Sequence, residues 1–341
     1  MQQTIKSKKP GWLGYGIVIA LLHIIGFLGM LVVSRDHPLF WGLGFLAYTL
    51  GMRHAFDADH IAAIDNTVRK LVQLKQKPEG VGFYFSLGHS TVVFLLAVLL
   101  AISVSWVQSE LPQLREIGEI VGMTVSGSFL MIIGFVNLLI LFDLLKLFTR
   151  MRKEKTDDQE VERLLHARGL IARFAGPLMR FVTRSWHVYP LGFLFGLGFD
   201  TASEVALLSI SAGAAQNAIP FIGILSLPVL FAAGMSLLDT ADGVFMTTAY
   251  RWAFHTPLRK LYYNLTVTGI SVLAALIIGT VELAQVLASK LGWSGGFWNW
   301  VQELDFGEIG YALVILFAAA WLISYGAWKI FNIEKRWEEQ G

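Results

Sequence analysis

Eight times along its 341 residues the chain runs apolar for about the ~20 residues that a helix needs to cross a bilayer's hydrocarbon core. The runs fall at roughly 11–34, 39–64, 81–107, 117–145, 187–212, 219–248, 262–288 and 309–331. No water reaches the backbone there, so such segments satisfy their amides internally, as helices. The expected fold class is all-α: a polytopic transmembrane helix bundle of eight spans, forming one integral membrane domain over 1–341. Only 15% of the residues are charged, where a soluble domain carries about 25%. Lys6, Lys8 and Lys9 precede the first run in the manner of a signal peptide. That run exceeds an h-region of about 7–15 residues and no small-residue cleavage site follows, so it reads as a first span.

Charge in the connections sets the orientation. With the N-terminus inside, 23 of the 27 lysines and arginines fall on the cytoplasmic side. Arg35, Arg115 and Lys290 fall outside, and Arg53 lies within span two. The bias predicts an N-in, C-in topology; an odd number of spans would break it. The main change of composition, over 146–186, predicts a charged cytoplasmic loop between two four-helix halves, with basic residues near anionic lipid. The loop GWSGGFWNW before the last span reads as an interfacial aromatic anchor. Net charge of +2 gives no reason to expect nucleic acid, and the absence of cysteine excludes thiolate chemistry, disulfides and iron–sulfur clusters.

Ionisable side chains within hydrocarbon cost several kcal/mol each and are functional candidates by default. Span two carries GMRHAFDADHIAAID, with His54, Asp57, Asp59, His60 and Asp65. On an unbroken helix His54, Asp57 and His60 form a stripe ~120° wide and Asp59 turns ~140° from His54. Either the helix is locally unwound here or facing helices share these groups. At ~1.5 Å per residue, His60 lies ~6 Å and His54 ~15 Å from the inner end of span two. Span three, FYFSLGHSTVVF, runs back and puts His89 ~12 Å from the same side. Imidazoles and carboxylates at a common depth suit borderline divalent ions such as Ni, Co, Zn or Mn, and a lack of thiolate argues against Cu(I). Span five contains LGFDTASEVALL, with Asp200 and Glu204 one turn apart, and span six contains GMSLLDTADG, with Asp239 and Asp242. Nothing basic within those two spans offsets four acids, so a cation or protons must. His23 in span one reads equally as polar glue or as a pathway ligand. The candidate metal ligands are therefore His54, Asp57, Asp59, His60 and His89, and the candidate transport path adds His23, Asp200, Glu204, Asp239 and Asp242.

At these residues the chain resembles the nickel/cobalt transporter family, the NiCoT permeases. The family's His-x-x-x-x-Asp-His is matched by His54, Asp59 and His60; FSLGHS, LGFDTASE and GMSLLDTADG follow in family order. Ser203 stands where the family pattern has Thr, and the hydroxyl is kept. The resemblance implies high-affinity uptake of Ni(II), Co(II) or both across the cytoplasmic membrane, with the ion as substrate and no permanently bound cofactor. No GxxxxGK[ST] occurs, so neither ATP hydrolysis nor an ATPase subunit is expected, and no His-Glu-x-x-His supports a membrane protease. A pure proton path remains the competing reading. GMRHAFDADH and GMSLLDTADG share a Gly-Met start and acidic ends, which pairs span two with span six in a parallel repeat.

Overall fold

The computed structural model describes residues 12–102, 104–153, 182–198, 202–217, 219–253, 257–304 and 306–330. Among the described residues there are eleven α-helices, one 3₁₀ turn (Ser185–Val188) and no strand. The helices are α1 (Leu13–Ser34), α2 (Phe40–His54), α3 (Ala58–Gln73), α4 (Val81–Ile102), α5 (Val104–Lys153), α6 (Tyr189–Gly196), α7 (Ala202–Gln216), α8 (Phe221–Ala253), α9 (Pro257–Leu291), α10 (Gly296–Gln302) and α11 (Phe306–Ile330).

Five helices, α1, α4, α5, α8 and α9, are long and apolar enough to cross a membrane by themselves. The remaining expected runs map differently. Run two is two helices, α2 and α3, and run five is α6 followed by α7. The last run falls in α11, which holds a shorter apolar stretch, Ile309–Ile323. Run four lies within α5, whose 50 residues extend ~75 Å, far beyond one bilayer crossing.

Burial is inverted relative to a protein in water. Leu273, Ile315 and Ile323 are more than 60% exposed, while His60, Asp65 and Glu204 are completely buried. Charged side chains are almost never fully buried in soluble domains. With lipid as the solvent, apolar side chains belong outside and polar ones in the protein interior.

The break between α2 and α3 is built from local turns. The amides of Phe56 and Asp57 reach back three residues, to the carbonyls of Arg53 and His54, and Asp57 then swings to extended backbone (φ −64°, ψ 140°). The chain re-enters a helix at Ala58. The first residues of α11 fill the gap: the ring of Tyr311 stacks on Phe56 with centroids 4.8 Å apart. Gly310 lies so close that a Cβ there would stand 1.5 Å from the Phe56 carbonyl oxygen. Only glycine allows that approach. α3 then runs on to Gln73, so Arg69 and Lys70, counted above among loop cations, are buried side chains of a helix. Polar neighbours explain how: Arg69 Nη2 donates to Asn66 Oδ1 (2.6 Å), which also accepts from Asn137 Nδ2 of α5 (2.7 Å).

At the opposite end of α9, Gln285 Nε2 donates to the Val301 carbonyl (2.8 Å) and ties down α10. There Trp293, Phe297, Trp298 and Trp300 form the expected aromatic group.

Candidate metal centre

Breaking the helix brings together what an unbroken one would spread apart. His54 ends α2 and His60 sits in the first turn of α3, so both rings turn into one space against His89 of α4. The ring centroids are 4.6 Å apart for His54–His60, 4.6 Å for His54–His89 and 4.9 Å for His60–His89. One nitrogen from each ring lies within 4.8 Å of the others, and all three residues are buried. Two nitrogens bound ~2.1 Å from one ion stand ~3.0 Å apart when cis and ~4.2 Å when trans. His54 Nε2 and His89 Nε2, 2.9 Å apart, already stand at a cis spacing, and the three rings together could hold one ion.

Acids surround the rings in distinct ways. Asp57 Oδ2 lies 2.6 Å from His54 Nδ1. The contact puts a carboxylate behind the ring, where a carboxylate–imidazole–metal arrangement has one, with Nε2 on the side of His89. His54 Nε2 lies 2.9 Å from His89 Nε2, which also lies 2.7 Å from Glu204 Oε1 of α7. His60 Nδ1 is 3.4 Å from Asp239 Oδ2 of α8. Neither ring nitrogen of His60 and neither carboxylate oxygen of Asp239 makes a hydrogen bond. Leaving a buried polar group unsatisfied costs ~1–3 kcal/mol, so these groups are poised for a ligand that satisfies both nitrogen and oxygen.

Close helix contact fixes the depth of these donors. A Cβ at Gly82 of α4 would stand 1.8 Å from the Asp239 carbonyl oxygen, so α4 and α8 touch by their backbones there. Phe85 packs edge-on to His60 (centroids 4.7 Å) and Phe231 lies against His54 (5.6 Å), walling the centre on two sides.

The remaining candidates divide. Asp59 is only half-buried and accepts the backbone N–H of His60 (2.9 Å). Asp242 is half-buried one turn along α8 from Asp239, with Oδ2 lacking a hydrogen-bond partner. His23 joins α1 to α2: Nδ1 is 2.8 Å from the Ile19 carbonyl and Nε2 is 3.2 Å from the Tyr48 hydroxyl. Asp200 and most of the expected loop, 154–181, lie outside the described residues.

Two polar groups went unselected by sequence reasoning. Ser86 of α4 and Ser236 of α8 hydrogen-bond each other at 2.9 Å, both completely buried. Asp65 accepts from Tyr250 of α8 (2.5 Å) and from Ser271 of α9. Hydroxyls carry no charge to draw the eye in an apolar run, and their pairing across 150 or more positions is invisible before folding.

A helical membrane protein with a buried imidazole–carboxylate centre able to hold a metal ion is the class this architecture defines. Residues 40–326 match the family described as high-affinity nickel-transport protein, and the chain belongs to that family. It is 58% identical over 334 residues to the nickel transporter NixA of Staphylococcus aureus, covering 98% of this chain and 99% of that one. It is 48% identical to the nickel transporter NicT of Mycobacterium tuberculosis (94% and 89%) and 41% identical to the cobalt transport protein NhlF of Rhodococcus rhodochrous (92% and 90%). These relatives are transporters, not enzymes. No solved structure matches the chain.

Proposed function

We propose that the chain is a high-affinity uptake permease for Ni(II), with Co(II) as a competing substrate, in the cytoplasmic membrane. Nickel is named in the two relatives at 58% and 48% identity and cobalt in the one at 41%. The observation that carries the reading is the convergence of His54, His60 and His89, from three helices, into a buried group with one nitrogen each within 4.8 Å. In this reading α2–α3 and α6–α7 each cross the bilayer as a broken span, which with α1, α4, α5, α8, α9 and α11 makes eight crossings, N-in and C-in. The segment over 146–186, whose first residues still belong to α5, joins the two halves on the cytoplasmic side.

The ion sheds water and is received by the acids of spans five and six, Asp200, Glu204, Asp239 and Asp242. It is then held by His54, His60 and His89, with Asp57 behind the His54 ring. Asp59 steadies the start of α3 through the His60 amide, and His23 holds span one against span two beside the path. A negative-inside potential favours entry by ~2.3 kcal/mol per charge per 100 mV. For a dication that is ~4.6 kcal/mol, roughly a thousandfold accumulation, so neither ATP hydrolysis nor an ATPase subunit is needed.

Radiolabelled nickel uptake by cells expressing His54→Ala or His60→Ala tests the reading. Both variants should insert normally and lose uptake. Uptake at the unsubstituted rate in both would refute it.

A further inference from the structure

Four of the close glycine contacts between helices come in a reciprocal pattern. A Cβ at Gly51 of α2 would stand 2.1 Å from the Phe231 carbonyl oxygen of α8, and one at Gly192 of α6 would stand 2.0 Å from the Phe85 carbonyl oxygen of α4. A Cβ at Gly234 of α8 would stand 2.5 Å from the Tyr48 carbonyl oxygen of α2, and one at Gly88 of α4 would stand 2.1 Å from the Tyr189 carbonyl oxygen of α6. In each pair the same residue types meet with the two partners exchanged.

The sequence repeats in the same places. Tyr48-x-Leu50-Gly51 of α2 matches Tyr189-x-Leu191-Gly192 of α6, and Phe56-Asp57 after the first matches Phe199-Asp200 after the second. Phe85-x-x-Gly88-x-Ser90 of α4 matches Phe231-x-x-Gly234-x-Ser236 of α8. Both copies are a helix, a break, a second helix and a long helix. His60 and Glu204 are each the third residue of the helix that follows the break. His60 contacts Asp239 on the long helix of the other copy, and Glu204 contacts His89 likewise.

Contacts in which i meets j and j meets i are the mark of a two-fold axis. Three crossings separate the start of α2 from the start of α6, so the copies run oppositely and the axis lies in the membrane plane. We infer that α2–α4 and α6–α8 are two copies of one helical unit inverted about an axis through the His54/His60/His89 centre, and that Gly51, Gly88, Gly192 and Gly234 are positioning residues that set the spacing of its donors. Inverted repeats of broken helices with the substrate at their interface are a general transporter architecture. The parallel match of span two with span six is replaced: span two corresponds to span five, and span three to span six.

The inference rests on the permease reading for its crossing number and stands on the contacts for its symmetry, so two measurements separate them. The first uses the cysteine-free chain. Asp36→Cys and Arg184→Cys, each exposed a few residues ahead of α2 and α6, are labelled with a membrane-impermeant maleimide in intact cells and in inside-out vesicles. Labelling from opposite sides is expected; labelling from one side overturns the inverted repeat, whatever the chain transports. The second titrates purified Gly51→Ala and Gly192→Ala proteins with Ni(II) by calorimetry, beside Gly213→Ala, where an added Cβ meets nothing within 4 Å. Displacing a partner of a metal ligand weakens binding ~10–100-fold, and that loss is expected in both of the first two variants, with Gly213→Ala unchanged. Gly192 lies on a helix that supplies no donor to the rings. Unaltered affinity in folded Gly192→Ala, beside a loss in Gly51→Ala, overturns the positioning role.

Discussion

His54 works through the residue three places on. Asp57 Oδ2 lies 2.6 Å from its Nδ1, while its Nε2 faces His89. Asp57→Asn keeps the size but removes the charge beside Nδ1, and should weaken nickel binding ~10–100-fold with the helices intact. Calorimetry with circular dichroism on the same sample checks both halves of that statement. The spacing of His54, Asp59 and His60 was legible because four costly groups in seven residues have no use as helix glue. The division of labour among the acids was not. Asp59 belongs to the family signature yet serves the His60 amide, while Glu204 reaches His89 from 115 positions away. Only packing decides such a pairing.

At the scale of elements, the interruptions carry the function. Geometry on an unbroken helix left open whether span two unwinds or shares its polar groups; it does both, since α2 stops at His54, α3 starts at Ala58 and the rings meet a third on α4. The length of α3 escaped reading because Arg69 and Lys70 look like a loop after an apolar run, and the fold that buries them is set by packing far along the chain. Asn66 is the junction, accepting from both Arg69 and Asn137. Asn66→Ala strands both donors in a buried site and should destabilise the fold by ~1–3 kcal/mol. A lowered melting temperature in detergent would report it, while an unchanged one would show that α3 does not need this junction.

For the whole molecule, the membrane character was legible from run length alone, because hydrocarbon thickness leaves few choices. The internal repeat was legible only in part. Short similarities such as Gly-Met and acid-x-x-acid suggested the pairing of span two with span six, whereas the reciprocal contacts pair span two with span five. Acidic residues recur wherever a cation passes, so they are poor markers of register; glycines at backbone crossings are set by steric contact and mark it better. The symmetry also gives the centre its chemistry, since donors from both copies meet at one place from which lipid is excluded.

X-ray absorption at the nickel edge of the purified protein, loaded with an equimolar amount of Ni(II), tests this account most directly. It should show a first shell of nitrogen and oxygen only at ~2.1 Å, with the outer scattering of three imidazoles, falling by one ring in His89→Ala. A nickel shell without imidazole scattering would contradict it.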